Sequence, residues 1–492
     1  MNTPSRRSFL ATLAAPIASA AAQARKPNVV FILADDLGWR DTALYGSTYY
    51  ETPNIDRLAT RGMMFHNAYA ASPLCSPTRA SILTGLYPAR IGITTPVGHL
   101  PQVILEQTLQ KEAKPTQKAL IPNSVTRLKL EYITLGESFQ SAGYRTAHFG
   151  KWHLGSEPYD PLHQGFDIDM PHTSGPGPGG GYLGGPWKFW PNQGKPGEHI
   201  EDRMAEEAEK FIAANKDRPF YLNYWAFSVH SPWQAKPALL EKYKRKADPN
   251  NPQHNPVYAA MVESLDTAVG RLVKAIDASG AADNTIIVFF SDNGGVFWSA
   301  KTEKAMLDAG YEDIPITSNA PLRAGKASVY EGGTREPMIV VWPRRVKAGS
   351  KSDAIVQSID FHPTLLDMAG LKAKPEQKFD GISIVPALSG KPLQREAIFC
   401  HFPHYTPAAG NIPGSWVRKG DWKLIRVWCD GPDQTDRHEL YNLKSDIGES
   451  RDVATKYPDR VHELSALLDG FLAGTHAVVP KPNPAYRADA KP

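Results

Sequence analysis

Two segments of this 492-residue chain constrain its fold more than any other feature: "PNVVFILADD", residues 27–36, and "NTIIVFFSDNGG", residues 284–295. Each is apolar without interruption, and each ends on side-chain oxygens, Asp35 and Asp36 in the first and Asp292 and Asn293 in the second. Alternating polarity marks a strand with one wet face, whereas an unbroken apolar run suits a strand covered on both. Helical patterns lie between and after them, in "TPNIDRLATRGMMF", "TLGESFQSAGY" and "YAAMVESLDTAVGRLVKAIDASG", with further strand-like runs in "FYLNYWAFS" and "EPMIVVWP". Strands alternating with helices predict an α/β fold with a mainly parallel sheet sandwiched by helices. Ligands of such sheets sit at the carboxyl ends of the strands, so both acidic endings point to one site.

The Gly- and Pro-rich stretch 174–197 reads as a long loop that can shape an entrance. Trp187, Trp190 and Trp233 fall in or near rim loops, where aromatic faces suit sugar rings. After "SIDFHPTLLDMAG", a helix, the pattern changes to short strands and turns in "SWVRKGDWKLIRVW" and "HELYNLKSD", followed by a last helix, "YPDRVHELSALLDGFLA". A boundary near Gln394 therefore separates a catalytic domain, 25–394, from a small antiparallel-sheet-plus-helix subdomain, 395–492.

Residues 1–24 have the form of an export signal: Arg6 and Arg7, an apolar segment from Phe9 to Ala22, then Ala22-Gln23-Ala24 before the expected cleavage. "SRRSFL" resembles the twin-arginine type. The apolar part is too short for an ordinary membrane span, so the expectation is an exported chain, periplasmic or secreted, without stable membrane insertion. With 41% apolar and 22% charged residues the chain is not generally disordered, and a net charge of +4 suggests no nucleic-acid partner. Of three cysteines, at most one pair can bridge; Cys400 with Cys429 is the expected one, leaving Cys75 over.

Cys75 belongs to "PLCSPTRASILTG". Pro77 fits the first turn of a helix, the four-residue spacing puts Cys75 and Arg79 on one face, and a helix N-terminus favours an anion. Asp35, Asp36, Asp292 and Asn293 offer only oxygen, the preference of calcium or magnesium. A thiolate is a soft ligand that matches such a cation poorly, whereas a gem-diol oxygen matches it well. In "GKWHLG", Lys151 and His153 project to one side of an extended segment.

These residues resemble the sulfatase family. Cys75, Pro77 and Arg79 fit its C-x-P-x-R signature, and "FILADDLGW", "GKWHLG", "FFSDNGG" and "PLRAGKASVYEGGTREP" follow in the family's order, from about Asn28 to the C-terminus. The chain is similar to arylsulfatase A-like and N-acetylgalactosamine-sulfatase-like members. The resemblance implies an alkaline-phosphatase-like fold and sulfate-ester hydrolysis by the hydrate of formylglycine, made from Cys75 by a formylglycine-generating enzyme. It implies calcium held by Asp35, Asp36, Asp292, Asn293 and the modified Cys75. It also implies that Arg79 holds the hydrate, Lys151 contacts sulfate, and His153 acts as base on the second hydroxyl. His230, in "SVHSPW", would lie near the leaving oxygen, and Lys326 would contact sulfate or the leaving group. The expected substrate is a sulfated carbohydrate, with sulfate removed from an oligosaccharide end, in preference to a free aryl sulfate.

Two other readings compete. One is a phosphatase, phosphodiesterase or phosphonate hydrolase of the same fold, whose two-zinc members would need further ligands; Asp360 with His362 is the only comparable local set, and its periodicity reads as a packed helix. The other is a protein that binds sulfated glycans with Cys75 left as a thiol.

Overall fold

The computed structural model describes residues 25–490, apart from 186, 188 and 191–193. The expected export signal, residues 1–24, lies outside the described residues. The first acidic-ended run forms β1 (Asn28–Ala34), all seven residues buried. Its side chains alternate between two cores as the two-residue period of a strand requires: Val30, Ile32 and Ala34 face one, Val29, Phe31 and Leu33 the other. The first core is closed by α1 (Pro53–Thr60), α4 (Ile200–Ala214), α5 (Pro237–Lys246) and α6 (Pro256–Ala278). The second is closed by α2 (Cys75–Thr84), α3 (Leu135–Ser141) and α7 (Phe361–Met368). The start of α3 is encoded locally: Thr134 and Glu137 form a reciprocal capping box.

The other strands of this nine-stranded sheet are β2 (Met63–Tyr69), β3 (Arg145–Gly150), β4 (Ile168–Met170), β5 (Phe220–Trp225), β6 (Thr285–Ser291), β7 (Arg335–Val341), β8 (Ser350–Ser352) and β9 (Val356–Gln357). Their order is β8-β2-β7-β6-β1-β5-β3-β4, with β9 also on β2. Among these pairings only β7 runs against its neighbours, β2 and β6. One expectation needs correction here: the helical pattern read through Met63 and Phe65 ends at Thr60, and the apolar residues beyond it belong to β2.

A second sheet of four antiparallel strands follows: β10 (Ile398–Phe402), β11 (Gly414–Lys419), β12 (Trp422–Val427) and β13 (Arg437–Asn442). Helix α8 (Pro458–Gly474) covers one face with Leu464, Leu468 and Leu472. The other face packs Cys400, Trp416 and Ile425 against Tyr69, Leu74, Ala327 and Val329 of the larger unit. All three cysteines are free and buried, which corrects the expected Cys400 to Cys429 bridge. The register pairs Cys400 with Trp416 and Trp416 with Ile425, four residues before Cys429. Cys400 packs into the core on one face of this sheet and Cys429 into the core on the other, so their side chains point apart, which a disulfide does not tolerate.

The two units also share a buried ion cluster. The Lys423 ammonium lies 3.0 Å from Glu331 Oε1 and 2.9 Å from Glu449 Oε1, with no exposure of any of the three side chains. Burial alone would push the Glu331 carboxyl up, but Lys423, Arg335 and Arg418 hold it down at about 2. Lys423→Met is expected to destabilise the protein by roughly 3–5 kcal/mol, because it leaves the buried Glu449 without its cation and Glu331 with only the arginines. A thermal unfolding midpoint unchanged from wild type would contradict this.

Candidate active site

Every expected site residue reaches the same edge of the large sheet. The parallel register pairs Ala34 of β1 with Ser291 of β6, so Asp35 and Asp292 emerge side by side. Gly150 of β3 pairs with Trp225 of β5, and Lys151, His153 and His230 follow from those two ends. Lys326 arrives by a different route. It precedes β7, and because β7 is antiparallel, the chain leading into it lies at the edge where its parallel neighbours finish. Cys75 is the first residue of α2 and Pro77 lies in its first turn, with Arg79 one helical turn after Cys75.

Three carboxylates and three cationic groups interlock there. Arg79 Nε donates to Asp292 Oδ2 at 2.8 Å, its Nη1 donates to the Lys151 carbonyl at 2.6 Å, and Nη2 makes unaligned ion contacts of 2.7 Å to Asp292 and 3.6 Å to Asp35. Lys151 Nζ donates to Asp35 Oδ2 at 2.6 Å, and Lys326 Nζ to Asp36 Oδ2 at 2.6 Å. Asn293 Nδ2 donates to Asp36 Oδ1 at 2.8 Å. Asp35 Oδ1 and Asn293 Oδ1 are buried without a hydrogen-bond partner among the described residues. His230 Nε2 is 3.8 Å from Asp36, and the His230 and Lys326 side chains keep 15% and 13% exposure. The others, Asp35, Asp292, Arg79 and Lys151, are sealed, so the mouth lies on the His230 and Lys326 side.

This crowding sets the protonation states. Burial pushes the Asp292 carboxyl up to about 6, helped by Asp35 and opposed by Arg79. Burial acts on Asp36 in the same direction, but Lys326, His230 and Lys151 bring it down to about 2. The Cys75 thiol is raised chiefly by burial, so it is a protonated thiol and a poor nucleophile as it stands. Burial, then Lys151, His99 and Arg79, depress His153 well below the usual imidazole range. Burial, then Lys326 and Lys151, take His230 down to about 3. Both imidazoles are neutral at neutral pH. Burial opposes charge on Lys326, but Asp36 outweighs it and keeps the ammonium protonated.

Asp36 and His153 adopt left-handed backbone angles, φ +64° and +61°, costly for residues with a Cβ and typical of places where packing holds a functional side chain. Ser76 Oγ donates to the His153 carbonyl at 2.7 Å and secures that turn. The turn that carries His230 is held by Glu201 Oε1, which accepts from the Phe227 and Ser228 amides at 2.9 and 2.8 Å. Ser76, Glu201 and His99, whose Nδ1 meets His153 Nε2 at 2.8 Å, carry no motif of their own and are not legible as site residues in the sequence.

The glycine-rich loop does border the site: a Cβ on Gly177 would sit 2.9 Å from the Ser231 carbonyl and 3.5 Å from His230 Nδ1. Its tryptophans do not. Trp187, Trp190 and Trp233 are 1%, 3% and 6% exposed within the main core, which corrects their expected place on a sugar-binding rim. Asp360 and His362 are also occupied elsewhere. Asp360 pairs with Arg395, while His362 Nδ1 donates to the Leu83 carbonyl at 2.7 Å and its Nε2 meets Ser138 and Gln377. As the helical periodicity suggests, they pack the structure and supply no second metal set.

Comparison with known proteins bears directly on this arrangement. The family model described as Sulfatase matches residues 27–371, and one described as N-sulphoglucosamine sulphohydrolase, C-terminal, matches 325–471. The chain belongs to the sulfatase family. This sulfatase is 32% identical over 426 residues to N-acetylgalactosamine-6-sulfatase of Sus scrofa, covering 82% of this chain and 74% of the relative. It is 30% identical over 522 residues to N-acetylgalactosamine-6-O-sulfatase of Bacteroides thetaiotaomicron, covering 90% and 93%. Its fold matches the crystal structure of Ps i-CgsB in complex with k-i-k-neocarrahexaose with a TM-score of 0.72 at 28% identity, over 91% of this sulfatase and 93% of that chain. The mostly parallel sheet flanked by helices, with its small antiparallel sheet, is thus a sulfatase fold, and the enzyme is a sulfuric ester hydrolase.

Proposed function

We propose that this enzyme removes sulfate from a sulfated carbohydrate, using formylglycine made from Cys75 and a bound calcium ion. The observation that carries the reading is the position of Cys75 at a helix N-terminus, with ligand atoms of Cys75, Asp35 and Asp292 all within 4.8 Å of one another. The donor set fits a hard cation: oxygen from Asp35, Asp36, Asp292 and Asn293, two of those oxygens buried and unpartnered among the described residues. Asp35, Asp36 and Asp292 cancel Arg79, Lys151 and Lys326, so a dication and an anionic ester together add little net charge to the pocket. When present, formylglycine hydrate supplies the nucleophilic oxygen and calcium polarises a sulfate oxygen.

The chain's own groups do the rest. Arg79 fixes Asp292 beside residue 75, Lys151 brings positive charge to the bound sulfate, and the neutral His153 faces residue 75 with an imidazole nitrogen able to take a proton. Lys326, protonated at the mouth, and His230 flank the path of the leaving alcohol. The sugar-directed part of the reading is supported by the names of the relatives, N-acetylgalactosamine-6-sulfatases, and by the carrahexaose complex. We also propose export through the twin-arginine signal at residues 1–24, oxidation of Cys75 by a formylglycine-generating enzyme, and division near Gln394 into 25–394 and 395–492. Among the described residues no helix is long and apolar enough to cross a membrane.

The deciding experiment measures the mass of the Cys75 peptide and calcium-dependent sulfate release on one exported sample, with phosphonate and phosphodiester substrates alongside. An aldehyde or hydrate mass with sulfate release is expected; full activity with an unmodified thiol would end the reading.

A thermal experiment tests the ion separately. The carboxyl of Asp292 titrates higher folded, at about 6, than its ordinary 3.8, so its contribution to stability is complete below that ordinary value and is lost as pH rises through about 6. Calcium would compete with that proton and offset the loss. Calcium at about a hundredfold its Kd is expected to stabilise by about 2.7 kcal/mol at neutral pH and distinctly less at pH 5. Stabilisation independent of pH, or none, would place the ion elsewhere.

A further inference from the structure

His99 is an exposed residue in a loop that no motif marks, yet its ring meets the most secluded histidine of the site. Its Nδ1 is 2.8 Å from His153 Nε2, with ring centroids 5.1 Å apart and planes inclined by 38°. The other nitrogen of His153, Nδ1, is 3.6 Å from Cys75 Sγ. The contact is built in. A Cβ on Gly98 would fall 2.2 Å from the His153 carbonyl oxygen, so only glycine lets the two segments approach. Arg127, itself buried, grips the chain on both sides of His99, donating to the Gly98 carbonyl at 3.1 Å and to that of Leu100.

We propose that His99 is a positioning residue that sets the tautomer of His153, holding its hydrogen on Nε2 and leaving the Nδ1 lone pair directed at residue 75. The proposal rests on the reading of His153 as the base at that residue. A neutral imidazole carries a single N–H. If Nδ1 is to accept a proton from residue 75, the hydrogen of His153 must be on Nε2, and its only partner there among the described residues is His99 Nδ1, which must then be the acceptor. The hydrogen of His99 is in turn on its own Nε2. When His153 takes a proton on Nδ1 it becomes an imidazolium that still donates from Nε2 to His99, and no proton passes along the pair. The opposite arrangement, with His99 donating from Nδ1, would force the His153 hydrogen onto Nδ1 and block the base. A charged His99 would impose that arrangement. Burial, then the charges of Lys151 and Arg127, lower its pKa and favour the neutral ring.

The test combines a spectroscopic and a kinetic readout on the full enzyme. With 15N-labelled histidine and the His153 ring signals assigned by their loss in His153→Gln, the wild type is expected to show a protonated Nε2 and an unprotonated Nδ1. His99→Ala should shift His153 towards the other tautomer and lower kcat on an aryl sulfate by about 10- to 100-fold, as loss of an orienting partner does elsewhere, with KM little changed. His99→Asn, whose Oδ1 can occupy the acceptor position, should restore the tautomer and most of kcat. An Nδ1–H tautomer in the wild type, or His99→Ala with the tautomer and kcat of the wild type, would overturn the proposal. The ring signals do not depend on turnover. A wild type with the expected tautomer but no sulfatase activity would therefore count against the functional reading and leave the His99 assignment standing.

Discussion

Cys75→Ala is expected to lower kcat by on the order of 10⁴-fold or more, the scale seen when the nucleophile of a catalytic unit is removed, while the protein stays folded. The side chain is 2% exposed and opens α2, where alanine is a good helix former, so the structural cost is the loss of one small buried group. Cys75→Ser keeps the volume and offers a hydroxyl, but a single hydroxyl lacks the second oxygen through which a hydrate can expel sulfate. It should bind substrate and fail to turn over. Sulfate release and circular dichroism on both variants check this. Activity within tenfold of wild type in the folded alanine variant would remove residue 75 from the chemistry, and the attacking group would have to be sought elsewhere.

Arg79→Met combines the second-largest loss of activity with a structural effect as large as that of Lys423→Met. The guanidinium is fully buried, bonded to Asp292 and close to Asp35, and it also donates to the Lys151 carbonyl. Without it, Asp35 and Asp292 face each other with Lys151 as the remaining close cation, a cost of roughly 3–5 kcal/mol. Arg79→Lys separates charge from geometry: an ammonium cannot make the same fork of contacts, so the fold should largely survive while kcat falls about 10²- to 10³-fold, as for loss of one preorganised electrostatic contact. The two carboxylates also link this result to the ion. Calcium should raise the unfolding midpoint of Arg79→Met by more than that of the wild type, since the dication would replace the missing charge. Equal shifts would mean that the ion does not bind at these carboxylates.

The mainly parallel sheet was legible because its central strands carry the pattern locally. Unbroken apolar runs in 28–34 and 285–291 demand cover on both faces, and the acidic residues that end them cannot be buried unless other charges compensate them. That Cys75, Arg79, the oxygen-bearing Asp35, Asp36, Asp292 and Asn293, and the Lys151 and His153 pair would gather in one place was likewise readable, because each belongs to a short motif whose spacing does not depend on the rest of the chain. The same locality explains the misreadings. Met63 and Phe65 fit a helical stripe as well as a strand, and only pairing with β7 and β8 makes the segment a strand. Trp187, Trp190 and Trp233 are aromatic whether they line a rim or fill a core, and Cys400 and Cys429 are equally available on paper until the small sheet places them in the cores on its two opposite faces.

The sequence by itself determined which residue types the chemistry has at its disposal and that strand ends would hold them. Tertiary structure decided their company: that Asp35 and Asp292 are neighbours, that Lys326 reaches them through an antiparallel strand, and that His99 lies against His153 because Gly98 has no side chain. The reason is physical. Periodicity and motif spacing are properties of a few consecutive residues, whereas burial, charge compensation and the direction of a hydrogen bond are set by groups tens to hundreds of residues apart, brought together by strand register and the packing of two cores.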